Sequence, residues 1–102
     1  MTKAMENKFA VAALSALAFE TRLRAVQLLA SVGEEGIPAG QLAERLGVQQ
    51  NTMSDHLRAL SQAEIVTTER RSRSVIYRVN PSMVADLAKF LEERCTPGSQ
   101  AA

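Results

Sequence analysis

The sequence predicts a mainly α-helical domain with one β-hairpin, in the order of a winged helix-turn-helix: four helices, two strands and a fifth helix. Two observations lead to this prediction. Two short helical patterns meet at the segment LGV, where glycine is the usual residue to close the first of them. Directly after the second pattern, the segment IVTTERRSRSVIYRVN changes to the alternation and β-branched composition of two strands.

The composition indicates a single small domain with a modest aliphatic core. The chain has 102 residues, of which 46% are hydrophobic and only 4% aromatic. A domain of this size leaves much of its surface uncovered, so a partner subunit could contribute to its stability. The formal net charge of +1 argues neither for nor against nucleic acid. We predict a folded domain over residues 1–96 and a disordered tail over 97–102.

The first helix is predicted from the run FAVAALSALAF, which is too short to span a bilayer. It also resembles a signal peptide, but Glu6 lies where such a peptide requires positive charge. The single cysteine, Cys95, excludes an intramolecular disulfide and favours a reducing compartment. We therefore expect a cytoplasmic protein that does not bind membranes. The helical face is predicted to contain Phe9, Ala12, Ala13, Ala16 and Leu17.

The next three helices are predicted from their boundary residues and apolar stripes. The second begins near Glu20 or Thr21 and stops before Gly33, and the third begins at Pro38 and closes at Gly47. The buried residues are predicted to be Leu23, Val26, Leu29 and Ala30 in the second helix, Leu42, Ala43 and Leu46 in the third, and Met53, Leu57 and Leu60 in the fourth.

The hairpin and the last helix complete the chain. The strands are predicted over residues 65–70 and 74–79, and because the tip lacks glycine we expect a loop longer than a tight two-residue turn. Asn80 and Pro81 provide an N-cap and a first-turn proline for a helix that ends near Cys95. Its buried side is predicted to contain Met83, Val84, Leu87, Phe90 and Leu91.

The fourth helix and its start are crowded with hydrogen-bonding side chains. Gln and Asn can pair with adenine and Arg with guanine, while a helix N-terminus attracts phosphate. A solvated helix face is the alternative, and Asp55 would be tolerated only near a cytosine amino group or away from the DNA strand. Because the preceding helix, the turn and the following hairpin together suit an element that docks on DNA, we favour sequence-specific DNA recognition by this helix. The predicted contacts are Gln49, Gln50, Asn51, Thr52, Ser54, His56 and Arg58.

The hairpin is locally basic, with Arg70, Arg71, Arg73 and Arg78 against Glu69. Arginines at its tip, Arg70, Arg71 and Arg73, are predicted to enter a minor groove or to hold flanking phosphates. A charged edge that discourages strand pairing is an alternative that is compatible with DNA binding.

An enzyme is not expected. His56 is the only histidine, so no obvious nucleophile and base pair exists, and no glycine-rich phosphate loop is present. We predict neither catalysis nor a cofactor.

The chain resembles the ArsR/SmtB family of small dimeric winged-helix repressors. The matching segments are LAFETRLRAVQLL (17–29), LAERLGVQQNTMSDHLRALSQAEIV (42–66) and RRSRSVIYRVN (70–80). The resemblance implies a homodimer whose fourth helices bind double-stranded DNA at an inverted-repeat operator, and repression of its own operon until an inducer binds. It implies a dimer interface on the first and last helices, with Phe9, Ala13, Leu17, Leu87, Phe90 and Leu91.

The sequence departs from that family at its inducer sites. A Cys-x-Cys pair of many members is replaced by Pro38 and Gly40, and the last helix has Asp86 but no histidine. A terminal cysteine cluster is reduced to Cys95, and one thiolate cannot provide a three-coordinate site. No metal site is therefore predicted and the inducer is unknown, with Cys95 as a candidate thiol sensor. A winged-helix module that binds another protein instead of DNA remains the alternative, and steep salt dependence would exclude it.

Overall fold

The computed structural model describes residues 5–98 of the chain. Its elements follow the predicted order, with an additional short strand before the third helix. They are α1 (Asn7–Leu17), α2 (Glu20–Val32), a 3-10 turn (Gly33–Glu35), β1 (Ile37–Pro38), α3 (Ala39–Leu46), α4 (Gln50–Gln62), β2 (Val66–Arg71), β3 (Ser74–Val79) and α5 (Pro81–Arg94). The winged helix-turn-helix predicted from the sequence is confirmed. The tail predicted to be disordered (97–102) lies mostly outside the described residues.

The core is aliphatic and lies where α2, α3, α4 and the start of the hairpin meet. Within residues 5–98 no polar or charged side chain is buried, so hydrophobic burial dominates the stability of the fold. The fully buried residues of helix α1 are all small, Ala10, Ala13 and Ala16, and the half-buried Leu17 packs against the same core. The largest fully buried side chains are Leu29, Ile37, Leu42, Met53, Leu57, Leu60 and Ile65.

The turn between α3 and α4 is closed at Gly47, as predicted. Gly47 adopts the left-handed conformation (φ 67°, ψ 35°), and the next N–H, from Val48, donates to the carbonyl of Ala43 at 3.0 Å. Val48 is half-buried in the corner between the two helices. Helix α4 then begins with the bond from Met53 N–H to the carbonyl of Gln49 at 2.8 Å. These bonds fix the crossing of the two helices.

The sheet has the strand order β1-β3-β2, and all its neighbouring strands are antiparallel. The prediction of a long hairpin loop is wrong: Arg71 pairs with Ser74, which leaves only Ser72 and Arg73 in the turn. Ser72 takes the left-handed φ of 59° that tight hairpin turns require at this position. Ser72 therefore takes the backbone conformation for which a glycine is usual, so the sequence showed no sign of a tight turn. Strand β2 begins and ends one residue later than predicted.

Strand β1 was not predicted, because two residues are too few to show alternation. Ile37 pairs with Tyr77 of β3 and is buried in the core. The approach requires Gly36, which has φ 70° and lies so close to β3 that a Cβ would meet Ile76 Cγ2 at 2.6 Å and the carbonyl oxygen of Tyr77 at 2.8 Å. The turn after α2 is thus joined to the hairpin.

In three helices, some residues predicted to be buried are exposed instead. Ala12 of α1 and Val84 of α5 are exposed, and α2 turns Ala25 inward instead of Leu23 and Ala30. Helical periodicity cannot choose between two overlapping apolar faces, and a small residue such as Ala25 allows closer packing of the neighbouring helices. Larger apolar side chains are consequently left outside.

No helix among the described residues is long and apolar enough to cross a membrane.

Candidate nucleic-acid interface

The outer side of α4 presents a continuous polar surface. Three buried side chains, Met53, Leu57 and Leu60, anchor the helix to the core. The polar residues expected from the sequence are exposed apart from His56, which is half-buried; the exposed set is Gln49, Gln50, Asn51, Thr52, Ser54 and Arg58. The structure thus brings them together on one helix and at its N-terminus.

The N-terminus of α4 is open towards an external acceptor. Gln49 makes no side-chain capping bond, so unsatisfied N–H groups and partial positive charge remain at the first turn. Asn51 Oδ1 accepts a bond from the N–H of Thr52 at 2.9 Å, and the side-chain NH₂ of the exposed Asn51 remains available for other partners. Ser54 Oγ donates to the carbonyl of Gln50 at 3.0 Å. Both side chains are therefore locally ordered.

Asp55 forms an ion pair with Arg58 one turn along the helix. Arg58 Nη1 lies 3.1 Å from Asp55 Oδ1, and the Arg58 and Asp55 side chains are 66% and 72% exposed. The spacing of three residues is that of neighbours on a helix surface. The sequence therefore holds a signal for this pair, although it offers no explanation for the role of Asp55.

His56 is held by residues of α2 and the turn before it. Arg22 Nε donates to His56 Nδ1 at 3.0 Å, and the Arg22 guanidinium lies 4.0 Å from the centroid of the Phe19 ring. The rings of Phe19 and His56 are 6.1 Å apart. Of the residues predicted to contact DNA, His56 is therefore the one whose side chain is partly committed to packing.

The hairpin, or wing (66–79), divides its arginines into two groups. Arg70 and Arg73 are exposed and have no ion-pair partner within residues 5–98. Arg71 Nη2 lies 3.3 Å from a Glu69 carboxylate oxygen. The free positive charge of the wing is thus concentrated at Arg70 and Arg73, at and next to its tip.

Arg78 fastens the wing to the body of the protein. Its Nη1 lies 2.8 Å from Glu69 Oε1, and its Nε donates to the carbonyl of Glu34 at 2.6 Å. The hydrogen bond from Arg78, together with the charge of Arg71, holds the pKa of the Glu69 carboxyl below its usual range. Glu69 is therefore ionised at neutral pH. The sequence places Arg78 in the basic patch, but its contacts are structural.

A groove of about 380 Å³ runs between α1 and α5. Its lining includes Val11 and Leu14, which are 60% and 42% exposed, and Phe90. Exposed apolar residues one turn apart on α1, beside its buried Ala10, are the signal that sequence reasoning missed. The groove is lined by Asn7, Ala10, Val11, Leu14, Phe90, Leu91, Arg94 and Cys95.

The residues expected at a dimer interface are only partly accessible. Ala13 and Leu87 are 0% and 7% exposed because they pack within the protomer core, so they offer almost no surface to a second copy. The other four, Phe9, Leu17, Phe90 and Leu91, are half-buried. Cys95 is exposed at the end of α5. Among residues 5–98, no three His, Cys, Asp or Glu side chains are grouped as a metal site would require.

Comparison with known proteins gives the same class of fold. A family model described as a helix-turn-helix domain matches residues 17–69. The transcriptional regulator NmtR of Mycobacterium tuberculosis is 34% identical over 74 residues, covering 72% of this chain and 59% of NmtR. The transcriptional activator HlyU of Vibrio cholerae is 30% identical over 82 residues, covering 80% of this chain and 73% of HlyU. This chain thus spans less than two thirds of NmtR.

A solved structure adds the three-dimensional likeness. An ArsR-like transcriptional regulator from Rhodococcus sp. RHA1 superposes with a TM-score of 0.73 at 28% identity, over 83% of this chain and 77% of that one. The helix-turn-helix, the adjoining hairpin and the exposed polar helix define a winged helix-turn-helix protein. With the family model matching more than half of the chain, this protein belongs to the ArsR-type family of winged helix-turn-helix transcriptional regulators.

Proposed function

We propose that this protein is a dimeric, sequence-specific DNA-binding repressor of its own operon, released from DNA by an inducer. The observation that supports DNA binding most directly is the polar outer face of α4, held rigidly by three fully anchored side chains beside a basic wing. A rigid helix of this kind can enter a major groove, where hydrogen-bonding side chains distinguish base pairs.

The two polar elements have different roles in this proposal. Asn51, Ser54 and Arg58 on α4 face base edges, and the first turn of α4 binds a phosphate. Arg70 and Arg73 have no ion-pair partner among the described residues, so their charge is free for the DNA backbone or a narrow minor groove. Sequence preference should come from α4 and salt-dependent affinity from the wing.

Dimerisation is supported by the apolar surface of the outer helices. Val11 and Leu14 of α1 and Val84 of α5 are exposed large hydrophobic residues, and a single small core cannot cover them. A second copy packed there through a two-fold axis would place two α4 helices on successive half-sites, which an inverted repeat would match.

The proposal is tested by footprinting on the DNA upstream of the protein's own gene, followed by binding measurements at several salt concentrations. We expect two protected half-sites about one helical turn apart and affinity that falls steeply with added salt. Arg73→Gln should weaken binding on every sequence. It should also reduce the salt slope by about one unit, because one fewer phosphate is neutralised in the complex.

Lys89→Gln is the matched control for this measurement. Lys89 is exposed on α5 and its replacement removes the same charge far from the wing tip in sequence, so the salt slope should stay unchanged. An affinity that does not change with salt concentration would instead favour a protein-interaction module. A reporter gene behind the footprinted promoter tells repression from activation, and comparison of wild type with Cys95→Ser under an oxidant tests Cys95 as the sensor.

A further inference from the structure

We propose that Asp55 and Arg58 act as one unit that reads a G·C base pair in the major groove, which makes Asp55 a specificity-determining residue. The inference rests on the proposed function and deepens it, because it assigns a base pair to one part of α4. It also gives a role to a carboxylate that general attraction to DNA would disfavour.

The geometry places both groups on the outer face of α4, the face that enters the major groove in the proposed function. They lie one turn apart on the side of α4 that faces away from Met53, Leu57 and Leu60, and both are mostly exposed. Within residues 5–98, each has the other as its ion-pair partner and no further one. Exposed ion pairs contribute little to stability. Stability therefore does not account for keeping a negative charge on the surface that approaches phosphates.

The remaining hydrogen-bonding capacity of the pair matches one base pair. A guanidinium has five N–H groups and the bond from Arg58 Nη1 to Asp55 Oδ1 uses one of them, so two neighbouring N–H groups can still point at the O6 and N7 acceptors of guanine. Asp55 retains Oδ2, which can accept from the N4 amino group of cytosine. The donor–donor–acceptor order complements the major-groove edge of G·C.

The ion pair also favours sequence-specific recognition of a base over non-specific attraction of Arg58 to the DNA backbone. Its bond limits the conformations of Arg58 before DNA arrives, which reduces the entropy lost when the guanidinium binds a base. The carboxylate offsets the charge of Arg58, so the pair gains less than a free arginine would from an arbitrary phosphate. Asp55 thus acts against wrong sequences as well as towards the correct one.

The experiment uses the full-length protein and operator duplexes in which each half-site position carries each of the four base pairs. We expect wild type to prefer G·C at one symmetric position by about tenfold. Asp55→Asn removes the charge with little change of shape and should lose most of that preference. Arg58→Lys keeps the charge but lacks the two-pronged donor, and it should lose the preference at the same position.

Two further variants make the result decisive. Glu92→Gln changes the net charge as Asp55→Asn does, at an exposed position of α5, and should leave every preference intact. The double variant Asp55→Asn/Arg58→Lys should discriminate no less than either single variant, because two parts of one unit are not additive.

The proposal is overturned if Asp55→Asn raises affinity equally for all four base pairs at every position, since Asp55 would then only screen charge. It is also overturned if the two single variants affect different positions. If wild type shows no sequence preference at all, the proposed function itself fails. Affinity that still falls with added salt would then indicate non-specific DNA binding, and undetectable affinity would indicate that the protein does not bind DNA.

Discussion

At the scale of single residues, the bond between Arg22 and His56 limits what His56 can offer to DNA. A guanidinium only donates hydrogen bonds, so His56 Nδ1 is the acceptor of the bond from Arg22 Nε. Arg22 also stacks on the ring of Phe19, just before α2. His56 thereby ties α2 to α4.

We expect His56→Leu to reduce stability without changing sequence preference. The substitution leaves the part-buried Arg22 Nε without its acceptor, which should lower the free energy of unfolding by about 1–2 kcal/mol. Denaturant unfolding at fixed protein concentration measures this loss, and binding to the operator variants measures preference.

Asn51→Ala is the matched comparison on the same helix. Asn51 is exposed, and alanine's higher helix propensity offsets the loss of the exposed bond from the Thr52 N–H to Asn51 Oδ1. The stability change should therefore stay within about 0.5 kcal/mol while the ranking of operator variants changes. A His56→Leu protein that altered the ranking at one base pair would show that His56 reads DNA after all.

Whether a side-chain contact can be predicted from the sequence depends on how far apart its two residues lie along the chain. The Asp55–Arg58 pair lies within one helical turn, so the sequence contains it. Arg22 and His56 are 34 positions apart, and no local pattern reports such a contact. Polar residues on a helix can therefore be recognised from the sequence, but their existing partners cannot.

At the scale of elements, the approach of β1 to β3 joins the wing to the end of α2. Gly36 permits this approach because β3 occupies the space of a Cβ. The Arg78 side chain then bonds the carbonyl of Glu34 across the same junction. The orientation of the wing relative to α4 thus depends on residues far outside the hairpin.

Gly36→Ala should therefore be much more costly than Gly47→Ala. Both glycines have a positive φ, which costs an alanine about 1–2 kcal/mol. At Gly47 no atom lies within 4 Å of the added Cβ, whereas at Gly36 three atoms lie within 2.9 Å. We expect losses of about 1 kcal/mol at Gly47 and about 3 kcal/mol or more at Gly36, measured by denaturant unfolding.

Equal losses at the two positions would contradict the close approach of β1 to β3. Gly36→Ala also tests whether the position of the wing depends on the body of the protein. A displaced wing should reduce DNA affinity more than the Arg73→Gln substitution alone does.

Helices were more predictable than the sheet for a physical reason. Their ends are marked by local residues such as Gly47 and Pro81, which act through their own backbone preferences. The tight wing turn depends instead on Ser72 accepting an unusual φ, and β1 depends on pairing with a strand about forty residues later. Tertiary pairing supplies what those segments lack in local preference.

At the scale of the whole molecule, the outer helices leave apolar surface that one copy does not bury. Val11 and Leu14 are exposed, whereas the alanines of the same helix, Ala10, Ala13 and Ala16, are buried. The sequence predicted apolar faces on α1 and α5, but it did not single out Val11 and Leu14 and could not tell which residues the protomer would bury itself. Ala13 and Leu87 were assigned to the interface and lie inside.

Leu14→Glu should shift the protein from dimer towards monomer while the protomer stays folded. Leu14 is partly exposed in the protomer, so a glutamate there remains solvated until a second copy covers it. Burying an unpaired carboxylate is costly, and we expect the dimer dissociation constant to rise by about tenfold or more. Analytical ultracentrifugation measures the constant, and circular dichroism checks the fold.

Ala85→Glu adds the same charge at an exposed position on the side of α5 away from Leu91, and it should leave association unchanged. If Leu14→Glu associates as wild type does, the dimer uses another face. Operator affinity should follow the dissociation constant, because two recognition helices on one DNA depend on the dimer.

The alanine face of α1 has a consequence for how this regulator responds to its own abundance. Each alanine buries a single methyl group, so α1 gains little from the protomer core compared with the leucine-rich α4. An isolated helix of eleven residues is marginal in water. In scarce, unassociated protein α1 should fray, and each partner would then complete the other's fold as well as double its DNA contacts.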